Sequence, residues 1–446
     1  MQTSPLHHWI ASELGQEGGN DLDLEALRIL QLERLNNTLS HALTNSPFYR
    51  QRLKPWENRP LSSLKQLTEL PFTTADDLRQ QGLQMLSVSQ SAIERVVTLE
   101  SSGTTGAAKR LYFTNEELAA TQAFFRLGMG PYLEPGDQVL ILLPGETPAS
   151  QGNLLAHALK PLGVECLIDG IVTDPGRCAK LLAEKDIACV VGIPVQVLSV
   201  LRHPHASRID RGRIRSVFLT SDYVPSALVE DIRRQWGCPA INHYGMTELA
   251  LTGGVECPAL DGYHLREPDL YFEVVNPADG RPLPIGETGE VVVSTLTRNG
   301  LPLIRYRTGD TACFLTEPCS CGSNLPRLSK LQGRLAQRFD IGAKQQIGIP
   351  SLDEALFVIP ELLNYQAVLT LEQGINFLSV AVETVAGSES ATLREVNRRL
   401  QELSPIHTAL AAGSLRLAPA MLCRQPLPVS ATTKRSITDR RKDIQP

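Results

Sequence analysis

From Val139 to His243, short continuous apolar runs alternate with helical patterns. Val139–Leu143, Val164–Ile168, Ile187–Val191, Ser216–Leu219 and Ala240–His243 read as strands, with helices at Leu154–Leu162, Arg177–Lys185, Val195–Leu201 and Ser226–Trp236 between them. Strands that are apolar throughout must be covered on both faces, so this rhythm predicts a sheet of largely parallel character layered with helices. In such sheets ligands bind beyond the carboxyl ends of the strands. Tyr244-Gly245-Met246-Thr247-Glu248 falls at one of those ends.

Outside this region the patterns differ. Leucines at helical spacing predict an amphipathic helix over 22–44, ending near Asn45-Ser46-Pro47. Leu70 to Leu78 reads as a turn and then a helix capped by Thr73 or Thr74. Val96–Leu99 and Leu111–Phe113 read as short strands, and Thr114 to Glu117 as a capping box opening a helix to about Arg126. From about residue 270, Tyr271–Val275, Glu290–Thr295 and Leu303–Arg307 predict a more antiparallel region punctuated by glycines. After Gly333-Arg334 the chain resets: a helix from Ser351, a hairpin of Gln366–Leu371 and Asn376–Val382, a helix at Ala391–Leu403 and a strand at Ser414–Leu417. The expected fold class is therefore α/β. A large N-terminal domain, 1–334, carries αβ-layered sheets and a β-rich part at 262–332, and a small mobile α+β domain follows at 335–446.

Between the two short strands lies Ser101-Ser102-Gly103-Thr104-Thr105-Gly106-Ala107-Ala108-Lys109. Two glycines let the backbone fold back and present N–H groups, while hydroxyls and a lysine add donors and positive charge. That combination suits the phosphates of a nucleotide, although the Walker A spacing is absent. Taken alone, such a stretch is a surface turn as readily as a phosphate cradle. Composition narrows the alternatives. With 43 basic and 48 acidic residues the net charge is −5, so no basic nucleic-acid footprint is expected. No apolar run approaches about eighteen residues, so no membrane span is expected, and Met1 to Gly18 lacks the basic-then-apolar pattern of a signal peptide, so none is expected. Nine cysteines at mostly isolated spacings argue against a disulfide framework and for a reducing cytoplasm.

Four separated segments carry the strongest signal: S-S-G-T-T-G-x-x-K at 101–109, Tyr244-Gly245-Met246-Thr247-Glu248, Tyr306-Arg307-Thr308-Gly309-Asp310 and Gly333-Arg334. In this order they resemble the adenylate-forming enzymes, the acyl-CoA synthetase and luciferase superfamily, and within it the phenylacetate–CoA ligase group. Asn45 to Arg50, Leu70 to Thr74 and Leu301 to Arg307 support the same resemblance, which runs from about residue 40 to the end. It implies a carboxylate–CoA ligase that joins an aryl or other small acid to coenzyme A through an acyl-adenylate, releasing AMP and pyrophosphate. It further implies that Ser101, Ser102, Gly103, Thr104, Thr105, Gly106 and Lys109 cover the β- and γ-phosphates of ATP. Tyr244, Gly245 and Met246 would line the adenine, Thr247 would hold the α-phosphate, and Glu248 would ligate Mg²⁺. Asp310 would take the ribose hydroxyls, and Arg334 would sit near ribose or phosphate at a hinge. A lysine from the small domain completes the family's site. Lys434 falls there, with Thr433 in place of the usual glycine, although a basic tail is also commonly a solvated one. The acidic hinge residues of the family are missing after Arg334, so the acceptor thiol is coenzyme A or a carrier-protein arm. An adenylating enzyme that passes the acyl or AMP group to a carrier protein or a cofactor acid, and a relative that binds nucleotide without turnover, are the alternatives, and a homodimer is compatible with the family.

Cys257, His264, Cys319 and Cys321 have the chemistry of a four-coordinate structural Zn²⁺ site, and the resembled group often carries cysteines here. Four unrelated reduced residues are the alternative. Cys166, Cys178, Cys189, Cys238, Cys313 and Cys423 read as packing residues. The acid pocket is expected near the Tyr244 strand end, with His243 and Tyr223 as candidates, although His243 is equally placed for a core histidine.

Overall fold

The computed structural model describes residues 3–16, 21–99, 108–425, 427 and 435–441. They form two compact units: Met1–Pro135 with Thr147–Val164 and Ile241–Gln332, and Gly136–Glu146 with Glu165–Ala240 and Gly333–Pro446.

In the first unit the leucine-rich helix spans Leu24–Asn45, capped by Asp23, whose carboxylate accepts the N–H groups of Glu25 and Ala26. Ser46 ends it and caps the following Pro47–Arg52 helix. Thr74, not Thr73, caps the Ala75–Gln81 helix in a full capping box with Asp77. Thr73 is buried instead, its hydroxyl donated to the Ile304 carbonyl at 2.7 Å. Strands Arg95–Leu99 and Lys109–Phe113 pair antiparallel with Leu99 opposite Lys109. The glycine-rich stretch thus connects two paired strands; Ser101, Ser102, Gly103, Thr104, Thr105 and Gly106 themselves lie outside the described residues. The capping box of Thr114 and Glu117 opens a helix that runs to Met129, one turn beyond the expected end. Leu270–Val275, Gly289–Thr295 and Tyr306–Ala312 make a three-stranded antiparallel sheet. The strand expected from Leu303 starts only at Tyr306 because Arg305 sits in the left-handed region, with φ 50°. Its guanidinium is locked inside by Glu273 and by the carbonyls of Thr68 and Leu70. Leucines from the long helix, Phe48, Tyr49, Val291, Val293 and Tyr306 share one core.

The second unit contains the parallel sheet. Ser216–Leu219, Ile187–Gly192, Gln138–Leu142 and Glu165–Ile168 lie side by side in that order, every pairing parallel. The long antiparallel hairpin Leu362–Glu372 and Ile375–Thr384 belongs to the same unit, with helices Glu389–Glu402 and Ser404–Ala411. The last helix has no apolar repeat long enough to announce it; Pro405 in its first turn starts it and neighbours hold it. Among the described residues, no helix is long and apolar enough to cross a membrane.

Candidate active site

Within the first unit, the Lys109 strand, the Tyr244–Glu248 loop and the Tyr306–Ala312 strand converge on one carboxylate. Glu248 is buried, and its Oε1 accepts a hydrogen bond from the Tyr306 hydroxyl at 3.1 Å. The same oxygen pairs with the Lys109 ammonium, whose side chain is 12% exposed. Beside them the Tyr244 hydroxyl donates to Asp310 Oδ2 at 3.3 Å, and Asp310 is buried. Burial alternates along the strand, Tyr306, Thr308 and Asp310 being covered, so one strand delivers both Tyr306 and Asp310. A carboxylate kept charged in a buried place needs a partner of opposite charge, and Lys109 supplies it.

The loop itself is tightly wound. The Leu251 N–H returns to the Met246 carbonyl and the Gly253 N–H to the Tyr244 carbonyl. A Cβ on Gly245 would lie 1.9 Å from the Leu251 carbonyl oxygen, so only glycine fits there. Thr247 and Glu248 form a single 3₁₀ turn, after which Ala250 and Leu251 both take left-handed backbone, φ 52° and 67°. Such residues cost about 1–3 kcal/mol each and persist only where their surroundings hold them. The Thr121 hydroxyl holds the Ala250 carbonyl at 3.0 Å, and the Arg298 guanidinium holds the carbonyl of Glu248. Thr121, Arg298 and Tyr306 in its hydrogen-bonding role were not among the candidates read from the sequence. A charged residue beside Gly300, between two apolar strands, was the available signal for Arg298.

His243 is packed against the rings of Phe124 and Phe125, with centroids 6.4 and 5.7 Å away. Burial pulls its imidazole down to about 4, so it is neutral at ordinary pH. In the second unit, the Tyr223 hydroxyl donates to Glu354 at 2.8 Å, and Arg334 precedes a 3₁₀ turn at Leu335–Gln337. Lys434 lies outside the described residues, but its neighbour Arg435 does not. Arg435 donates to both oxygens of Asp353, at 3.0 and 2.5 Å, and to Asp222 at 3.1 Å, over the rings of Phe357 and Tyr365. A solvated basic tail therefore does not describe this residue.

Cys257, His264, Cys319 and Cys321 meet in a buried cluster of the first unit, their ligand atoms all within 4.8 Å of one another. Cys257 Sγ lies 3.5 Å from Cys319 Sγ, and Cys321 Sγ 3.5 Å from His264 Nε2. Zinc–sulfur bonds of about 2.3 Å in a tetrahedron separate neighbouring sulfurs by roughly 3.8 Å, so the donor set fits that ion. Burial raises the Cys321 thiol, but the bonds from His264, the Ser323 N–H and Cys319 outweigh it and leave it at about 6.

Residues 59–297, more than half of the chain, match the family model for AMP-binding enzymes. The phenylacetate–coenzyme A ligase of Aromatoleum evansii is 30% identical over 325 residues, covering 70% of this chain and 71% of that protein. The phenylacetate–coenzyme A ligase of Thermus thermophilus is 28% identical over 380 residues, covering 81% and 82%. Among solved structures, a 2-hydroxyisobutyryl-CoA ligase bound to its acyl-adenylate has the same fold, with a TM-score of 0.76 at 20% identity over 94% of this chain and 90% of that one. The chain belongs to the AMP-binding, adenylate-forming enzyme family. Within that family its place is the phenylacetate–coenzyme A ligase-like group.

Proposed function

We propose that this protein is an ATP-dependent carboxylate–coenzyme A ligase. A carboxylate oxygen attacks the α-phosphorus of ATP, giving an acyl-adenylate and expelling pyrophosphate; the coenzyme A thiolate then attacks the acyl carbon and expels AMP. The observation that carries this reading is the convergence of Lys109 and Tyr306 on Glu248, beside the Tyr244–Asp310 pair. Two anions have to meet in the first step, so catalysis rests on neutralising charge around the phosphates. In this reading Lys109 and Ser101 to Gly106 take the β- and γ-phosphates, Thr247 the α-phosphate, and Glu248 the magnesium that accompanies ATP. Until then Lys109 and Glu248 neutralise each other, which keeps both charges tolerable in a covered site. Tyr244, Gly245 and Met246 flank the adenine, Asp310 takes the ribose, and Arg334 and Lys434 come from the chain beyond residue 332. The domain division at 334 belongs to this same reading.

For the acid we favour an aryl carboxylate. His243 is neutral and sits with the rings of Phe124 and Phe125, an aromatic neighbourhood that suits an aromatic acid. Zn²⁺ in the Cys257, His264, Cys319 and Cys321 cluster would be structural, because protein ligands fill all four positions. All nine cysteines are free, which fits a cytoplasmic enzyme.

ATP–pyrophosphate exchange with phenylacetate and a panel of aryl and short aliphatic acids tests the proposal. Exchange with an aryl acid, with AMP release accelerated by coenzyme A, is the expected result. AMP release indifferent to coenzyme A would point to a carrier-protein acceptor, and no exchange with any acid would leave a nucleotide-binding protein without turnover. Lys434→Ala should lower exchange at least about tenfold; an unchanged rate would remove Lys434 from the mechanism.

A further inference from the structure

We infer that Arg298, held by Glu117, is a positioning residue for the magnesium-bound nucleotide, acting through the main chain of Glu248. The inference rests on the reading of Glu248 as a magnesium ligand. Arg298 is buried, 5% exposed, and its guanidinium serves three acceptors that come from separate parts of the chain. One nitrogen donates to the Glu248 carbonyl, another to the Tyr112 carbonyl at 2.9 Å, and Nε to Glu117 Oε2 at 3.4 Å. The cation lies 4.8 Å from the centre of the Phe113 ring. Tyr112 and Phe113 belong to the strand that begins with Lys109, so one side chain braces both the lysine strand and the carboxylate loop.

Glu117 is itself fixed. Its Oε2 accepts the Thr114 N–H at 3.3 Å as part of the capping box, and its Oε1 accepts the Gly300 N–H at 2.8 Å. Arg298 is thus pinned at its own end of the chain by the carboxylate it pairs with. A planar guanidinium presents several N–H groups in fixed directions, which a lysine ammonium on a flexible stem does not reproduce. The bracing falls where it is needed, because the two left-handed residues that follow Glu248 would otherwise relax and carry the carboxylate with them.

Calorimetric titration of ATP into the full chain, once with magnesium chloride and once with EDTA, reads this out without knowledge of the acid. The wild type should bind ATP more tightly with magnesium. Arg298→Lys should lose about tenfold of that magnesium-dependent gain while its affinity in EDTA stays within about twofold, the size expected when a partner behind a metal ligand is lost. Glu117→Gln should move in the same direction, by less. A loss of melting temperature with an unchanged magnesium gain in both variants would reduce Arg298 to packing and overturn the inference. Glu248→Gln is measured in parallel. If it too leaves the magnesium gain unchanged, the reading of Glu248 fails; if it abolishes the gain while Arg298→Lys does not, only the inference fails.

Discussion

At the scale of single residues, the first unit keeps several carboxylates out of water, and their partners decide what each does. Glu248 has Lys109 and Tyr306, and Glu273 has Arg305 at 2.9 Å. Glu267 is the exception: its Oε2 finds no hydrogen-bond partner among the described residues, and burial raises its carboxyl to about 8. The sign of the consequence follows from which state holds the proton. Between the ordinary 4.5 and about 8, the folded chain keeps a proton that the unfolded chain releases, so this residue costs stability progressively as pH rises through that window. Glu267→Gln, which cannot ionise, should raise the melting temperature by about 2–4 °C at pH 8.5 and change it little at pH 5. Thermal unfolding of both proteins at the two pH values checks this. An equal effect at both would mean that folding does not raise this carboxyl above its ordinary range.

At the scale of an element, the turn from Tyr244 to Gly253 is built against local preference and held from outside. Gly245 supplies close approach, while Ala250 and Leu251 occupy backbone that residues with a Cβ disfavour. Ala250→Gly should therefore stabilise the chain by about 0.5–1 kcal/mol, or about 1 °C, despite the loss of a buried methyl. A melting temperature lowered by the substitution would show that the methyl contact outweighs the strain. The capping boxes at Thr74 and Thr114 are the opposite case, since their hydrogen bonds run within four residues and are legible directly from S/T-x-x-D/E spacing. The paired strands around the glycine-rich stretch were legible for a similar reason, as two β-rich runs bracket a loop of turn-forming residues.

At the scale of the molecule, the cysteine–histidine cluster gathers segments that the chain separates widely. Cys257 and His264 lie more than fifty residues before Cys319 and Cys321, with Cys257 and Cys319 62 positions apart. The N-terminal residues dock beside the same knuckle: His7 bonds Ser323 at 3.1 Å, and Asn324 exchanges two hydrogen bonds with the backbone of Leu22. A cross-link closing so long a loop restricts the unfolded chain considerably. Metal analysis of the purified protein should give about one zinc per chain. Treatment with a strong chelator, or Cys319→Ser, should lower the melting temperature markedly. Less than about half an equivalent, together with a Cys319→Ser protein as stable as wild type, would leave the cluster as ordinary buried thiols.

Periodicity, caps and turn chemistry are local, and so the αβ rhythm, the antiparallel region after residue 270 and the order of the nucleotide motifs could be read before any coordinates. Arg305 shows where such reading stops. Its run of neighbours looked like a strand, but a left-handed residue held by Glu273 delayed the strand to Tyr306. Arg435 shows the same limit from the other side, since a basic run gives no sign that one of its members is half-buried and paired with Asp353 and Asp222. Glu117 joins both cases in one side chain. One of its oxygens completes a capping box three residues away, which spacing alone announces, while the other holds a backbone N–H 183 residues further on. That second bond, and with it the bracing of Glu248 by Arg298, exists only because packing brings distant segments to within 3 Å, and no local pattern encodes it.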